Sequence, residues 1–329
     1  MQKHSQRWLR RQRRLFNDKK TRFIRVFLVL LEPIQKNAKA EKATADRALL
    51  GDFMDMKRIE SRATPFVREL SKLKMKKYRD EARLFLFEGE KLFSEALSSG
   101  LPLRHILVSE SYYDAHRAAV DGAIDTASAN DPGLSVFLLS DAAYEKICEE
   151  RAPQGILCVA PYIDKFEKRY IIDVKSSRPF SALLLDNIRD PGNLGTVIRS
   201  AAAFGIDQLI LSRGCADLYS EKAVRGSMGA LFRQSILINA DLYDEIRFLQ
   251  AQGKKVYAAA LHRDAVTVGD ADLQGACVVI GNEGQGIDAS LIEQCSGTLL
   301  IPMEAGAESL NAAVAASLFA WEMRRANVK

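Results

Sequence analysis

The chain has 329 residues, 47% of them hydrophobic and 27% charged, with a formal net charge of +5. At roughly 150 residues per domain this length holds about two domains, and the composition is that of an ordinary folded globular protein. The longest apolar run, Val26 to Leu31, is far short of the ~18–20 residues a membrane span needs. Cys148, Cys158, Cys215, Cys277 and Cys295 are odd in number and scattered, with no Cys-x-x-Cys spacing. Neither a zinc site nor a disulfide framework is supported, and a reducing, cytoplasmic setting without metal is expected.

Positive charge is concentrated at the start. Residues 1–55 carry 14 basic and 6 acidic side chains and residues 56–83 carry 10 and 4, so the remainder is net acidic. A localised basic stretch releases counterions from a phosphate backbone, which makes nucleic acid the expected partner. A solvated basic tail is the competing reading for residues 1–55. Residues 1–25 are arginine-rich with Asp18 as the single acid, and Lys36 to Leu50 is Ala/Lys-rich and polar. Three readings stay open for this segment: an RNA-binding arm, a cleaved targeting peptide, or translated sequence upstream of the true start. A secretory signal does not fit, because Arg25 interrupts a short apolar core.

Val67, Leu70, Leu73 and Tyr78 give part of an apolar stripe that predicts one basic helix from Val67 to Arg79. Leu84-Phe85-Leu86-Phe87-Glu88-Gly89-Glu90 reads as a strand ending in a loop. A helix through Leu92, Phe93, Ala96 and Leu97 follows, closed by Gly100. Strands at about 104–108, 135–139 and 156–160 complete a small α/β module over 56–160. Residues 161–177 are charged and read as a linker.

The remainder, 178–329, alternates. Strands are expected at about 181–186, 207–212, 235–238, 255–260, 276–281 and 298–301, and helices at about 194–204, 241–252, 288–295 and 310–326. Such alternation predicts a parallel sheet covered on both faces. Asp241 stands as an N-cap, and Gly205 and Gly253 as C′ glycines.

Three polar loops follow apolar strands in this half. They are Asp186-Asn187-Ile188-Arg189-Asp190-Pro191-Gly192-Asn193-Leu194-Gly195, Gly281-Asn282-Glu283-Gly284-Gln285-Gly286, and Ile301-Pro302-Met303 with Glu308-Ser309-Leu310-Asn311. Open α/β sheets bind ligands at such positions. A dinucleotide fingerprint is a poor fit, because Gly281-x-x-Gly284-x-Gly286 comes late in the domain and has the wrong spacing. On the helix after Asn193, Leu194, Val197, Ile198, Ala201 and Ala202 face the core, and Arg199 stands at the edge of that face.

These three segments, in their order and strand-loop context, resemble the signature motifs of the SpoU (TrmH-type) RNA 2′-O-ribose methyltransferases of the SPOUT class. The resemblance covers about 178–329, and a weaker one to the family's small RNA-binding domain covers about 56–160. It implies an α/β fold in which an L30e-like domain precedes a parallel-sheet SPOUT domain with a deep C-terminal trefoil knot. The knot rests on resemblance alone, since knots are rare exceptions among folds. The implied reaction is S-adenosyl-L-methionine-dependent methylation of a ribose 2′-OH in structured RNA. Ribosomal RNA is favoured over tRNA, in a homodimer to which the apolar Leu310–Trp321 face contributes. A non-catalytic RNA-binding protein on the same scaffold is the rival reading.

Gly281, Ile301 and Leu310 are the implied cofactor-binding positions, with Met303 and the loop after Ala260 close by. Arg199 is the implied catalytic centre. Because guanidinium is very hard to deprotonate, its expected role is to stabilise developing charge or hold a phosphate. Asn193 braces loop and substrate, Glu283 anchors Asn193 or Arg199, Ser309 caps the last helix and also touches substrate or cofactor, and Asn311 completes the third motif, all four counted with Arg199 in the catalytic set that the resemblance implies. Arg225-Gly226-Ser227-Met228-Gly229 resembles a further segment on the RNA side, and Arg79, Glu88 and Gly89 resemble the RNA-binding domain. Glu88 also reads as an ordinary loop acid, and His262 as structural or exposed. The first domain's resemblance begins near Lys57, directly after Met56, which keeps a misplaced start among the readings.

Overall fold

The computed structural model describes residues 56–131, 133–148, 152–163, 166, 179–304 and 309–327. The basic extension 1–55 and most of the expected linker lie outside the described residues.

The first unit runs β1 (Lys57–Ile59), α1 (Pro65–Lys72), α2 (Lys76–Ala82), β2 (Leu84–Glu88), α3 (Glu90–Ser99), β3 (His105–Ser109), α4 (Glu110–Asn130), β4 (Ser135–Leu139), α5 (Asp141–Ile147) and β5 (Ile156–Pro161). Its sheet has the order β1-β4-β3-β5-β2. β5 runs antiparallel to both β2 and β3, while the β1–β4 and β4–β3 pairs are parallel. Val67 and Leu70 of α1 pack with Tyr144 and Ile147 of α5 in one cluster. Phe93 of α3 and Val120 and Ile124 of α4 belong to another.

The single helix expected over Val67–Arg79 is two helices. The cause is Arg79, whose Nη1 donates to the carbonyls of Leu73 and Lys74, each at 2.7 Å. A continuing helix would offer those carbonyls to backbone N–H groups one turn later. Met75 instead turns extended as the N-cap of α2.

The second unit runs β6 (Ala182–Leu185), α6 (Pro191–Phe204), β7 (Gln208–Ser212), α7 (Glu221–Gly226), a 3₁₀ turn (Ala230–Phe232), β8 (Ile236–Ala240), α8 (Leu242–Ala251), β9 (Val256–Ala259), β10 (Val266–Thr267), β11 (Cys277–Ile280), α9 (Ala289–Gln294), β12 (Gly297–Leu300) and α10 (Ala312–Ala326). The sheet order is β10-β12-β9-β11-β6-β7-β8, and every pair is parallel. β6 and β11, at its centre, are buried along their whole length, which is why they read as unbroken apolar runs rather than alternating ones. Ile198 of α6 and Phe319 and Met323 of α10 belong to one core cluster. Ile246 of α8 and Leu291 of α9 belong to a second. Among the described residues no helix is long and apolar enough to cross a membrane.

The two units share a core, because the larger cluster holds Phe85 and Phe87 together with Tyr219, Leu231 and Phe232. Tyr162 stacks on Tyr219 at 3.9 Å between centroids. Arg79 meets Asp217, and Arg233 meets Glu95, each at 2.5 Å. The Arg225–Gly229 segment, expected on the RNA side, lies at this junction. Ser227 is buried, and a Cβ at Gly229 would strike the Glu95 side chain.

Candidate active site

The site grows from helix α6. Asp190 is its N-cap, accepting from Asn193 N at 2.8 Å. Pro191 supplies the preset φ of the first turn, and Gly205 closes the helix in the left-handed region. Lys222 donates to Asp190 at 2.7 Å. That contact, followed by the Asn193 N–H, holds the Asp190 carboxyl below its ordinary range. Gly195 has to be glycine, since a Cβ there would lie 2.6 Å from the Ala223 carbonyl of α7. Leu194, Val197, Ile198 and Ala201 are buried as expected, while Ala202 is only partly so.

This cap places the Asn193 side chain between two distant loops. Its Nδ2 donates to Glu283 at 2.7 Å, and its Oδ1 accepts from Asn311 Nδ2 at 3.0 Å. Asn311 is also the N-cap of α10, its Oδ1 accepting from Ala313 N and Val314 N. The capping role expected of Ser309 therefore belongs to Asn311, and the helix begins at Ala312 rather than at 310. Asn282 holds the second loop shut. Its Oδ1 accepts from Gly284 N and Gln285 N, and its Nδ2 donates to the Asn187 carbonyl at 2.8 Å.

A cleft of about 690 Å³ opens at the ends of β9, β11 and β12. All four expected binding positions, Gly281, Ile301, Met303 and Leu310, line it, together with Glu283 and Ser309. Gly281 admits no side chain, because a Cβ would sit 2.5 Å from the Gly286 backbone that closes the loop. Leu261 and Leu310 are among the few large apolar side chains left exposed, and both line this cleft. Its volume falls within the range of small-molecule sites, and apolar walls with a few polar groups are what such a ligand needs. Leu261, the first residue of the loop after Ala260, lines the cleft as that loop's expected place beside the cofactor implies, while Phe319 is a lining residue that the sequence reading did not name.

Arg199 lies off the core face of α6, at whose edge it was expected. It is exposed and makes no hydrogen bond or ion pair with a described residue, so Glu283 anchors Asn193 and not Arg199. The neighbouring Ser200 faces α10 and accepts from Ser317 at 2.7 Å. In the first unit, Glu88 is interior. Tyr144 Oη, Cys148 Sγ and Gln154 N all donate to its carboxylate, and burial pushes the Cys148 thiol upward. His262 is exposed and off the cleft. The described residues contain no cluster suited to a metal ion, and all five cysteines are free.

Comparison with known proteins gives the same two units. Residues 181–321 match the SpoU rRNA Methylase family, and residues 64–158 match the MRM3-like substrate binding domain. The 23S rRNA (guanosine(2553)-2′-O)-methyltransferase RlmP of Bacillus subtilis is 34% identical over 82% of this chain and 100% of its own length. The chain belongs to the SpoU rRNA methylase family. Human mitochondrial rRNA methyltransferase 3 is 28% identical over 80% of this SpoU chain and 74% of its own. An AdoMet-bound rRNA methyltransferase from Sinorhizobium meliloti superposes with a TM-score of 0.71 at 30% identity, covering 82% of this chain and 98% of that one.

Proposed function

We propose that this protein methylates a ribose 2′-OH in ribosomal RNA, taking the methyl group from S-adenosyl-L-methionine. The observation that carries the reading is the cleft at the ends of β9, β11 and β12. It has apolar walls at Ile301, Met303 and Leu310, and the hydrogen-bonded Asn193–Glu283–Asn311 set stands beside it. The names of the bacterial and mitochondrial relatives favour ribosomal RNA over tRNA.

When bound, S-adenosylmethionine would supply a methyl group carried on a positively charged sulfur, and that methyl carbon would bond to the ribose oxygen as its bond to sulfur breaks. Main-chain groups at Gly281 and Ile301 would hold its adenosine part, and Met303 and Leu310 would exclude water around it. Asn193, oriented by Glu283 and Asn311, positions the ribose. Arg199 keeps its guanidinium free for the charge that develops on the attacking oxygen or for an adjacent phosphate. The 2′-OH proton leaves to water or a phosphate oxygen, since guanidinium is a poor base.

In the same reading the chain divides at 1–55, 56–160, 161–177 and 178–329, with the first folded unit L30e-like and engaging RNA. The C-terminal segment threads a trefoil knot. Two features support it: β11 lies between β6 and β9, and the helix after β12 returns to pack with α6. Val314, Leu318 and Trp321 form an exposed stripe on α10 that serves as the face of a cytoplasmic homodimer.

The test is transfer of labelled methyl to unmodified transcripts of large-subunit rRNA and of tRNA, with 2′-O-methyl positions mapped by resistance to alkaline cleavage. Transfer to rRNA supports the proposal. Transfer to tRNA alone removes the rRNA assignment, and cofactor binding without transfer to either leaves only an RNA-binding protein.

A further inference from the structure

Several cations of this half and of the junction between the units are committed. Lys222 pairs with Asp190 at the start of α6, Arg79 with Asp217 and Arg233 with Glu95. Arg189 and Arg213 differ, for both are exposed and neither has a hydrogen bond or ion pair with a described residue. They stand on the loops that follow β6 and β7, neighbouring parallel strands.

Those two loops are fastened to each other beside both arginines. Asn187 N donates to Ser212 Oγ at 2.9 Å, and Ala216 N donates to the Ile188 carbonyl at 2.7 Å. Asn187 takes the left-handed region at φ 55°, a conformation that a non-glycine residue seldom adopts. Its side chain occupies the space where residue 214 would carry a Cβ, only 1.6 Å from Asn187 Oδ1, so a larger residue there would have to displace Asn187. Residues 189 and 213 each lie one position beyond these clamped contacts, which fixes where both side chains originate. The same corner is bound to the cleft, because the Asn187 carbonyl accepts from Asn282. Asn193 begins only four residues after Arg189.

We propose that Arg189 and Arg213 form a clamp for the phosphate backbone of the RNA strand beside the methylated nucleotide, an inference that rests on the RNA methyltransferase reading above. Guanidinium groups bind phosphate oxygens through paired, charge-assisted hydrogen bonds. Rigid loops hold the two at little entropic cost on binding. The clamp fixes the strand's register over the cleft and takes no part in the methyl transfer step.

The test uses the full chain and its Arg189→Gln, Arg213→Gln and double variants. RNA affinity for an unmodified large-subunit rRNA transcript is measured across salt concentrations, with methyl transfer and cofactor calorimetry in parallel. Each lost phosphate contact should lower the slope of log affinity against log salt by about 0.7–0.9. The double variant should raise KM for RNA about tenfold or more, with kcat at saturating RNA, cofactor affinity and Tm unchanged. Arg→Lys at both positions should restore the salt slope and only part of the affinity. An unchanged slope and KM in the double variant would overturn the clamp. A wild-type protein that transfers no methyl group overturns the functional reading instead, and the binding slopes still decide the clamp.

Discussion

Replacing Arg79 with methionine should uncouple the two units while keeping the side chain's apolar stem packed. Arg79 is 6% exposed, and its guanidinium makes three contacts: one with Asp217 at 2.5 Å and two with the Leu73 and Lys74 carbonyls at 2.7 Å. Deleting one partner of a buried ion pair costs about 3–5 kcal/mol, because the other charge stays buried. Here the lower end applies, since Asp217 keeps the Tyr219 N–H at 3.1 Å. A loss of about 3 kcal/mol lowers Tm by roughly 6–12 °C for units of this size. Urea and thermal melts followed by circular dichroism and Trp fluorescence should show this drop, with the two probes ceasing to coincide. A cycle with Asp217→Asn should give a coupling energy of about 1–3 kcal/mol. A Tm within about 2 °C of wild type, or additive single losses, would refute the view that this contact joins the units.

Arg199→Ala should lower kcat by about 10²–10³-fold with Tm and cofactor affinity unchanged, because the side chain is exposed and touches no described group; wild-type turnover would remove Arg199 from the chemistry. Leu310→Arg should weaken S-adenosylmethionine binding at least about tenfold, as a charge enters an apolar wall. Calorimetry giving an unchanged Kd would move the donor pocket elsewhere. The Asp190 carboxyl is held below its ordinary value, first by Lys222 and then by the Asn193 N–H. Its contribution to stability is therefore present above the unfolded value and lost as pH falls through the lower folded one. The Tm gap between wild type and Asp190→Asn should accordingly be widest above about pH 4 and close in stronger acid. A gap independent of pH would show that the charge on Asp190 does not support the cap.

The second unit was legible in the sequence because its strands are continuous apolar runs closed by polar loops. Each expected strand there lies within a few residues of the observed one. What escaped has identifiable physical reasons. β1 is three residues with two charges on a sheet edge, so no burial pattern marks it. α4 is rich in alanine and polar residues and bends at His116, where φ is −129°, which blurs its apolar stripe. The split between α1 and α2 depends on a guanidinium that takes carbonyls five and six residues back, a contact that helical spacing does not encode. Gly281, Ile301, Met303 and Leu310 were named from their motifs, and all four line the same cleft. The partners of Asn193 lie 90 and 118 residues away, so which side chain Glu283 holds was settled only by the folded chain. Arg199 shows the reverse, since its motif position named it while the structure leaves it without a partner among the described residues.

The bonds joining α10, Asn193 and Glu283 run in one direction only. Helix N–H groups point to Asn311 Oδ1, Asn311 Nδ2 points to Asn193 Oδ1, and Asn193 Nδ2 points to the Glu283 carboxylate. Neither amide can turn over alone, because donor would then face donor at one of its ends and acceptor face acceptor at the other. The polarity is anchored by a helix terminus at one end and an anion at the other. Aspartate, serine or threonine would serve as well as asparagine to start α10, yet none of them has an amide to pass the sequence on. At position 311 a residue that caps a helix must therefore also transmit orientation, and this narrows the interchangeable capping residues to one.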